Sequence, residues 1–164
     1  MITYDLCEDE NNTPPKSDKR DFIDYIYHEN NLLSLIIRTS FCSSGIEFFT
    51  PDSFSQQLAY MNRPKDYIIP PHVHNSVPRE VDLTQEVLFI KSGKVRVDFY
   101  DSQKKYLESR VLHKGDVILL ADGGHGFEML ENSEMIEVKQ GPYAGELDKE
   151  RFSPVDKKNV EVKQ

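Results

Sequence analysis

Short apolar runs separated by Pro, Gly and charged residues occupy this chain from about residue 32 onward. Branched and aromatic residues are frequent in these runs, and short strands with turn residues between them are typical of an all-β sandwich or barrel. Residues 32–38 fit a buried strand or a short helix, and residues 22–27 fit a helical turn or a strand. The pattern predicts strands over residues 32–38, 46–49, 56–61, 67–74, 85–91, 94–100, 106–112, 117–120, 125–130 and 135–140.

The clearest local prediction is a β-hairpin formed by residues 85–91 and 94–100 and joined at Ser92-Gly93. In its second arm apolar and polar residues alternate, so one face should be buried and the other exposed to water. The apolar positions are Val95, Val97 and Phe99, and the polar positions are Arg96, Asp98 and Tyr100.

A chain of 164 residues is long enough for one domain with a core of its own. We expect a polar N-terminal arm or linker over residues 1–30, a single β-barrel domain over residues 31–143, and a charged C-terminal tail over residues 144–164. The last residues, from 156 onward, are expected to fray.

The formal net charge of −8 argues against nucleic-acid and anionic-membrane partners, because both need a clustered positive field. Cys7 and Cys42 are the only cysteines and form no metal-binding or disulfide framework motif, so we expect free thiols in a reducing cytosol. The first ten residues lack the features of a signal peptide, and no apolar run approaches the roughly 20 residues that span a bilayer. The predicted location is therefore cytoplasmic.

Three histidines and one glutamate carry the candidate chemistry. His72 and His74 are separated by one residue, and side chains two positions apart on an extended chain point to the same side. Glu86 heads an apolar run, and His125 lies in a glycine-rich segment. Because imidazoles and carboxylates suit iron, manganese, zinc, nickel and copper, we predict a divalent transition-metal site. Its ligands would be His72, His74, Glu86 and His125.

The spacing of these residues resembles the two signatures of the cupin family. Residues 66–93 are similar to the first signature, G-x5-H-x-H-x3,4-E-x6-G, and residues 115–129 to the second, G-x5-P-x-G-x2-H-x3-N. The resemblance implies an all-β fold, the cupin double-stranded β-helix or jelly-roll-like barrel, here with an N-terminal extension. It also implies that the four residues named above are the metal ligands.

The chain departs from the family pattern at several positions. Asp66 replaces the first glycine, and eleven residues separate His74 from Glu86, so Glu80 is a rival carboxylate ligand. We favour Glu86 because it opens a strand-like run and keeps its spacing to Gly93. In the second signature Ala121 replaces the proline, Met129 replaces the asparagine, and one residue fewer precedes His125.

The resemblance favours a metal-dependent enzyme acting on a small organic molecule, of the dioxygenase, isomerase or decarboxylase kind. Two alternatives stay open: a non-catalytic module that binds a metal and a small metabolite, and a metal-free sugar-nucleotide epimerase or isomerase. The resemblance also implies a homodimer whose subunits exchange terminal strands, and residues 22–49 offer apolar strands for this exchange. His28 and His113 are interpreted as surface residues. Tyr60, Glu128 and Lys139 could support the ligands or transfer protons, but are interpreted as ordinary solvated strand residues.

Overall fold

Antiparallel strands make up most of the regular structure in the described part of this protein. The computed structural model describes residues 19–142, 145 and 148–163. The 3₁₀ turns Lys19–Phe22 and Lys157–Asn159 flank the strands. The strands are β1 (Ile23–His28), β2 (Asn31–Ile37), β3 (Gly45–Phe48), β4 (Ala59–Asn62), β5 (Glu86–Ser92), β6 (Lys94–Tyr100), β7 (Tyr106–His113), β8 (Val117–Leu120), β9 (Gly124–Met129) and β10 (Glu134–Lys139).

The strands form three sheets. A five-stranded sheet has the order β1-β2-β8-β5-β10, a three-stranded sheet has the order β7-β6-β9, and β3 and β4 pair alone. The all-β prediction is confirmed, but over the residues that the structure describes the sheets are not hydrogen-bonded into a closed barrel. Among the residues that the structure describes, no helix has the length and apolar character needed to cross a membrane.

Two apolar cores lie on opposite faces of the five-stranded sheet. The main core fills the space between this sheet and the three-stranded one, and contains Ile36, Ile118 and Val97. The second core lies beneath the β3–β4 pair and contains Leu35 and Leu119. Strand β2 contributes to both cores, which explains why it is apolar at nearly every position instead of alternating.

The predicted hairpin at Ser92-Gly93 is wrong, because β5 and β6 belong to different sheets. Strand β5 pairs with β8 and β10, whereas β6 pairs with β7 and β9. Gly93 has a φ of +84°, and a Cβ there would lie 2.3 Å from the carbonyl oxygen of Asn132. Glycine therefore lets the chain turn tightly from one sheet to the other, so that Ile90 and Val95 enter the same core from opposite sides.

The outer face of β6 was predicted to be exposed to water, but another segment of the chain covers it. Asp98 is 4% exposed and Tyr100 is 3% exposed. Residues 148–163, named the C-terminal strap below, run across this face. The rings of Tyr100 and Phe152 meet edge to face with their centroids 5.0 Å apart, and the backbone N–H of Val155 donates to the Tyr100 hydroxyl at 3.0 Å. A segment remote in sequence therefore buries the polar face of this sheet.

The end of the strap does not fray as predicted. Val162 forms a parallel β-bridge with Ser109 on β7. The backbone N–H of Ser109 donates to the carbonyl of Glu161 at 2.9 Å, and the N–H of Lys163 donates to the carbonyl of Ser109 at 2.9 Å. The edge of β7 offers backbone partners that sequence composition does not reveal, so a charged segment becomes ordered against it.

Strand β1 lies inside the predicted N-terminal arm and pairs with β2, which confirms the strand alternative for residues 22–27. Residues 1–18 of that arm lie outside the described residues. The strand predicted over residues 67–74 is wrong, because residues 63–85 form a loop that contains no strand and is exposed over residues 64–84. Prolines at positions 64, 70 and 71 lack the N–H groups that a sheet needs, which accounts for the loop.

Cys42 is disulfide-bonded, so the expectation of a free thiol is wrong for this residue. Its sulfur lies 3.9 Å from the Tyr60 hydroxyl and 3.8 Å from the Asn62 amide nitrogen. Cys7 lies outside the described residues. The disulfide removes one argument for a reducing compartment, and the cytoplasmic location stays a prediction.

Candidate functional site

Glu86 and His125 approach each other from opposite sheets. Residues directly opposite on antiparallel strands point to the same side. His125 on β9 is opposite Phe99, and Glu86 on β5 is opposite Leu120. Because Phe99 and Leu120 both point into the main core, the two polar side chains also point between the sheets. His125 Nε2 lies 3.3 Å from Glu86 Oε2.

The surroundings of Glu86 favour its charged form. The hydrogen bond with His125 lowers the pKa of Glu86 below its usual range, and burial opposes this shift. The positive charges of His125 and Lys139 lower the pKa further. Glu86 is therefore a carboxylate at neutral pH, with one oxygen facing His125 and the other 3.5 Å from Lys139 Nζ.

Lys139 is the residue of this site that the sequence prediction missed. It is directly opposite Glu86 in the β5–β10 register and only one-fifth exposed, although an ordinary surface position was expected. Its Nζ also lies 3.2 Å from Glu137 and 3.9 Å from Asp148. The hydrogen bond with Glu137 raises the pKa of Lys139. The pairing of β10 with β5 was the signal needed to find it, and strand periodicity alone does not supply strand pairing.

A cavity of about 620 Å³ opens above Glu86 and His125. Its volume lies in the range of pockets that hold small organic molecules. The glycines at the start of β9 and just before it form one wall with the last residue of β6, the start of the C-terminal strap forms another, and the end of the loop before β5 forms a third. These walls comprise Gly123, Gly124, Gly126, Tyr100, Asp148, Lys149, Glu150, Arg151, Phe152, Pro154, Asp82, Leu83 and Thr84.

Glycine is required in the wall next to His125. Gly123 has a φ of +70°, and a Cβ there would lie 2.6 Å from the carbonyl oxygen of Tyr100. At Gly124 a Cβ would lie 3.1 Å from the ring of Phe152. The absence of side chains lets the strap lie close to β9, so Phe152 and His125 border the same cavity.

The structure places His72 and His74 on the loop of residues 63–85, and both are exposed. Their rings meet at 78° with centroids 5.2 Å apart, so the one-residue spacing does bring them together. His72 Nδ1 lies 2.9 Å from the carbonyl oxygen of Pro70, which leaves its Nε2 as the nitrogen that faces other partners. The two histidines form a second pair, separate from the strand-borne pair.

The four predicted metal ligands are thus brought together only as two pairs. Two ligands on one transition-metal ion stand about 3 Å apart, because each binds at about 2.0–2.2 Å. The 3.3 Å between Glu86 and His125 fits this separation. However, the described part of the chain contains no group of three or more His, Cys, Asp or Glu residues arranged to hold a metal. The metal site formed by all four residues stays a prediction.

Glu80, the rival carboxylate, is exposed and borders a different cavity of about 350 Å³. Glu86 is the glutamate that contacts His125. Two other polar residues have structural partners: Glu128 pairs with Arg96 and Lys157 on the outer face of β9, and Tyr60 packs against Phe41 beneath the β3–β4 pair.

Comparisons with known proteins identify no relative of this chain. No protein-family model matches the chain, and no curated protein or solved structure matches it. The resemblance to cupins therefore depends on the residues discussed above, together with the all-β fold.

Proposed function

We propose that this chain is a cupin-like protein whose cavity binds a small organic molecule above Glu86 and His125, and that it acts on this molecule as an enzyme. One observation carries the proposal: a carboxylate and an imidazole lie 3.3 Å apart at the base of a cavity of about 620 Å³. Charged residues such as Lys149 and Glu150 line this cavity together with apolar residues such as Leu83 and Phe152, so the walls suit a molecule that has both polar and apolar parts. The inward direction of both side chains supports the cupin interpretation of the two sheets.

In the first form of this proposal, the enzyme is metal-dependent. Glu86 and His125 would supply two ligands to iron, manganese, zinc, nickel or copper, and His72 and His74 would supply two more. The short distance between Glu86 and His125 favours this form, and so does the pairing of the two loop histidines. The metal would act as a Lewis acid or a redox centre in a dioxygenase-, isomerase- or decarboxylase-like reaction. Residues 63–85 would have to close onto the cavity for the four ligands to meet.

In the second form, the reaction needs no metal. Lys139 Nζ lies 3.5 Å from one oxygen of Glu86, and His125 Nε2 lies 3.3 Å from the other. Glu86 orients the imidazole ring, and His125 borders the cavity, so His125 in its neutral form can take a proton from a bound molecule and return it. This acid–base arrangement suits an epimerase or isomerase acting on a sugar nucleotide.

Metal content separates the two forms. We would measure it by mass spectrometry on the untagged protein and on three variants: His125→Ala, His72→Ala/His74→Ala, and His113→Ala as a control on an exposed histidine of β7. The metal-dependent form predicts about one ion per chain in the parent and the control, and loss of the ion in the other two variants. A parent that binds no metal after anaerobic reconstitution would overturn the metal-dependent form.

The proposal of a small-molecule site is tested separately, by thermal shift with a panel of sugar nucleotides and organic acids. The metal-free and metal-loaded proteins are both screened. A compound bound in the cavity should raise the melting temperature of the parent and of His113→Gln, but not of His125→Gln. Chemical analysis of that compound after incubation distinguishes turnover from simple binding. If no compound raises the melting temperature of His113→Gln more than that of His125→Gln, the proposed site is wrong.

A further inference from the structure

Strand β10 is an open edge of the five-stranded sheet. In the order β1-β2-β8-β5-β10, its only strand neighbour among the described residues is β5. The backbone groups on its other side can therefore pair with a strand from another chain. The bulge in β10 falls between Glu134 and Met135, which leaves the rest of the strand regular.

The outer face beside this edge is apolar and uncovered. Val87 is opposite Val138, and Phe89 is opposite Ile136, so all four side chains share the outer face. Val87 packs against the second core beneath the β3–β4 pair, and the apolar surface continues outward from it. Phe89, Ile136 and Val138 are 39%, 53% and 60% exposed, which is high for residues that form one contiguous patch.

The opposite edge of the sheet is less suitable for strand pairing. Strand β1 has its bulge in the middle, between Ile26 and Tyr27, and bulges interrupt the backbone pairing that a new strand needs. Asp24 of β1 also pairs with Arg38 and lies 3.9 Å from Arg110 of the other sheet. These contacts tie β1 to its own subunit.

We propose that a second copy of this chain pairs its β10 with this β10, antiparallel, about a two-fold axis at Val138. The charges select the register. With the axis at Val138, Glu137 faces the partner's Lys139 and Lys139 faces the partner's Glu137. An axis at Glu137 would place two glutamates opposite each other, and an axis at Ile136 would place Glu137 opposite the partner's Met135. Opposite charges stabilise facing positions of a sheet, and like charges destabilise them.

The same register joins the apolar patches. Val87, Val138 and their two counterparts would form one row of four valines across the outer face, which removes part of the exposed apolar surface from water. On the inner face, the partner's Glu137 would lie beside Lys139, which contacts Glu86. Each copy would thus add a carboxylate at the rim of the other copy's cavity. This dimer uses β10 instead of the strands of residues 22–49 expected from the sequence.

The first test compares the two edges in the full chain. Sedimentation velocity across a concentration series should show a dimer for the parent and for Tyr27→Asp, a charge placed on the exposed edge strand β1. Val138→Asp should be a monomer at every concentration. A parent that is always monomeric would overturn the proposal. So would a dimer that survives Val138→Asp and is broken by Tyr27→Asp.

The second test uses cross-linking to determine the register between β10 and the β10 of the second copy. Residues directly opposite in an antiparallel pair have Cα atoms about 4.5–5.5 Å apart, within reach of a disulfide. Val138→Cys should therefore form a dimer on a non-reducing gel after mild oxidation, with the parent as background control. Ile136→Cys should not, because about 14 Å would separate its two copies at ~3.4 Å per residue. Cross-linking of Ile136→Cys alone would contradict the axis at Val138.

Discussion

The two pairs of predicted ligands differ in what supports them. Glu86 and His125 stand on strands, and the residues next to them on the inner face, Leu88 and Phe99, are 3% and 1% exposed. His72 and His74 stand on a loop, and Val73 between them is 90% exposed. Side chains on packed strands have their positions fixed by a core, whereas exposed loop side chains do not. The strand pair is therefore the preorganised half of the candidate site.

The largest expected effect comes from removing the core beneath the strand pair. Phe99→Ala should lower the free energy of unfolding by about 3–5 kcal/mol, because it leaves a cavity next to His125. Val73→Ala is the matched change beside the loop pair, and should alter the free energy by no more than about 0.5 kcal/mol. Chemical denaturation of both variants measures the difference. Similar losses in the two variants would mean that the core does not support one pair more than the other.

The C-terminal strap provides the next contrast. Phe152→Ala removes the edge-to-face contact with Tyr100 and should cost about 1–2 kcal/mol. It should also open the cavity, so that diethyl pyrocarbonate modifies His125 several times faster. The modification rate of His72 should stay the same, since this residue is exposed already.

Peptide mass spectrometry gives the modification rate at each histidine. Ser153→Ala, at the neighbouring exposed position, serves as the control and should change neither rate. If His125 reacts at the same rate in Phe152→Ala as in the parent, the strap does not shield the cavity.

Strand positions were largely predictable, because alternation and turn residues are local signals. The predicted strands over residues 94–100 and 117–120 match β6 and β8. The strand positions depend on information within a few residues of each position. The family spacing also names Glu86 and His125 together, and the structure places them 3.3 Å apart, but their role as metal ligands stays a prediction.

The failures concern contacts between residues remote in sequence. Gly93 was interpreted as a hairpin turn, but it connects two sheets whose pairing depends on β8, β9 and β10. Tyr100 was expected to be exposed to water, but the ring of Phe152 packs against it. Lys139 was interpreted as a surface residue because its neighbour Glu86 lies on another strand. Local periodicity does not specify strand pairing or which segment covers a polar face.

Acid should weaken the strand pair specifically. The folded pKa of Glu86 is lowered, so its carboxylate stabilises the fold fully above the unfolded pKa of about 4.3. This stabilisation is lost as pH falls through the lower, folded pKa, where the group is protonated in both states. Glu86→Gln should therefore cost about 1 kcal/mol near neutral pH and progressively less below about pH 4. Urea denaturation across pH measures this cost, and a cost that does not shrink in acid would argue against the lowered pKa.

The smallest expected effect on stability belongs to the loop pair. The double substitution His72→Ala/His74→Ala removes the ring contact and the Pro70 hydrogen bond, both at exposed positions. Exposed substitutions of this kind change the free energy of unfolding by about 0.5 kcal/mol or less, so the melting temperature of the metal-free protein should stay close to that of the parent.

Any metal that stabilises the folded state raises the melting temperature by an amount that depends on its affinity. The parent should therefore gain stability on titration with metal, and the double variant should gain less, with no folding defect to confuse the comparison. Equal gains would show that Glu86 and His125 bind the ion without the loop, and that the loop histidines do not belong to the site.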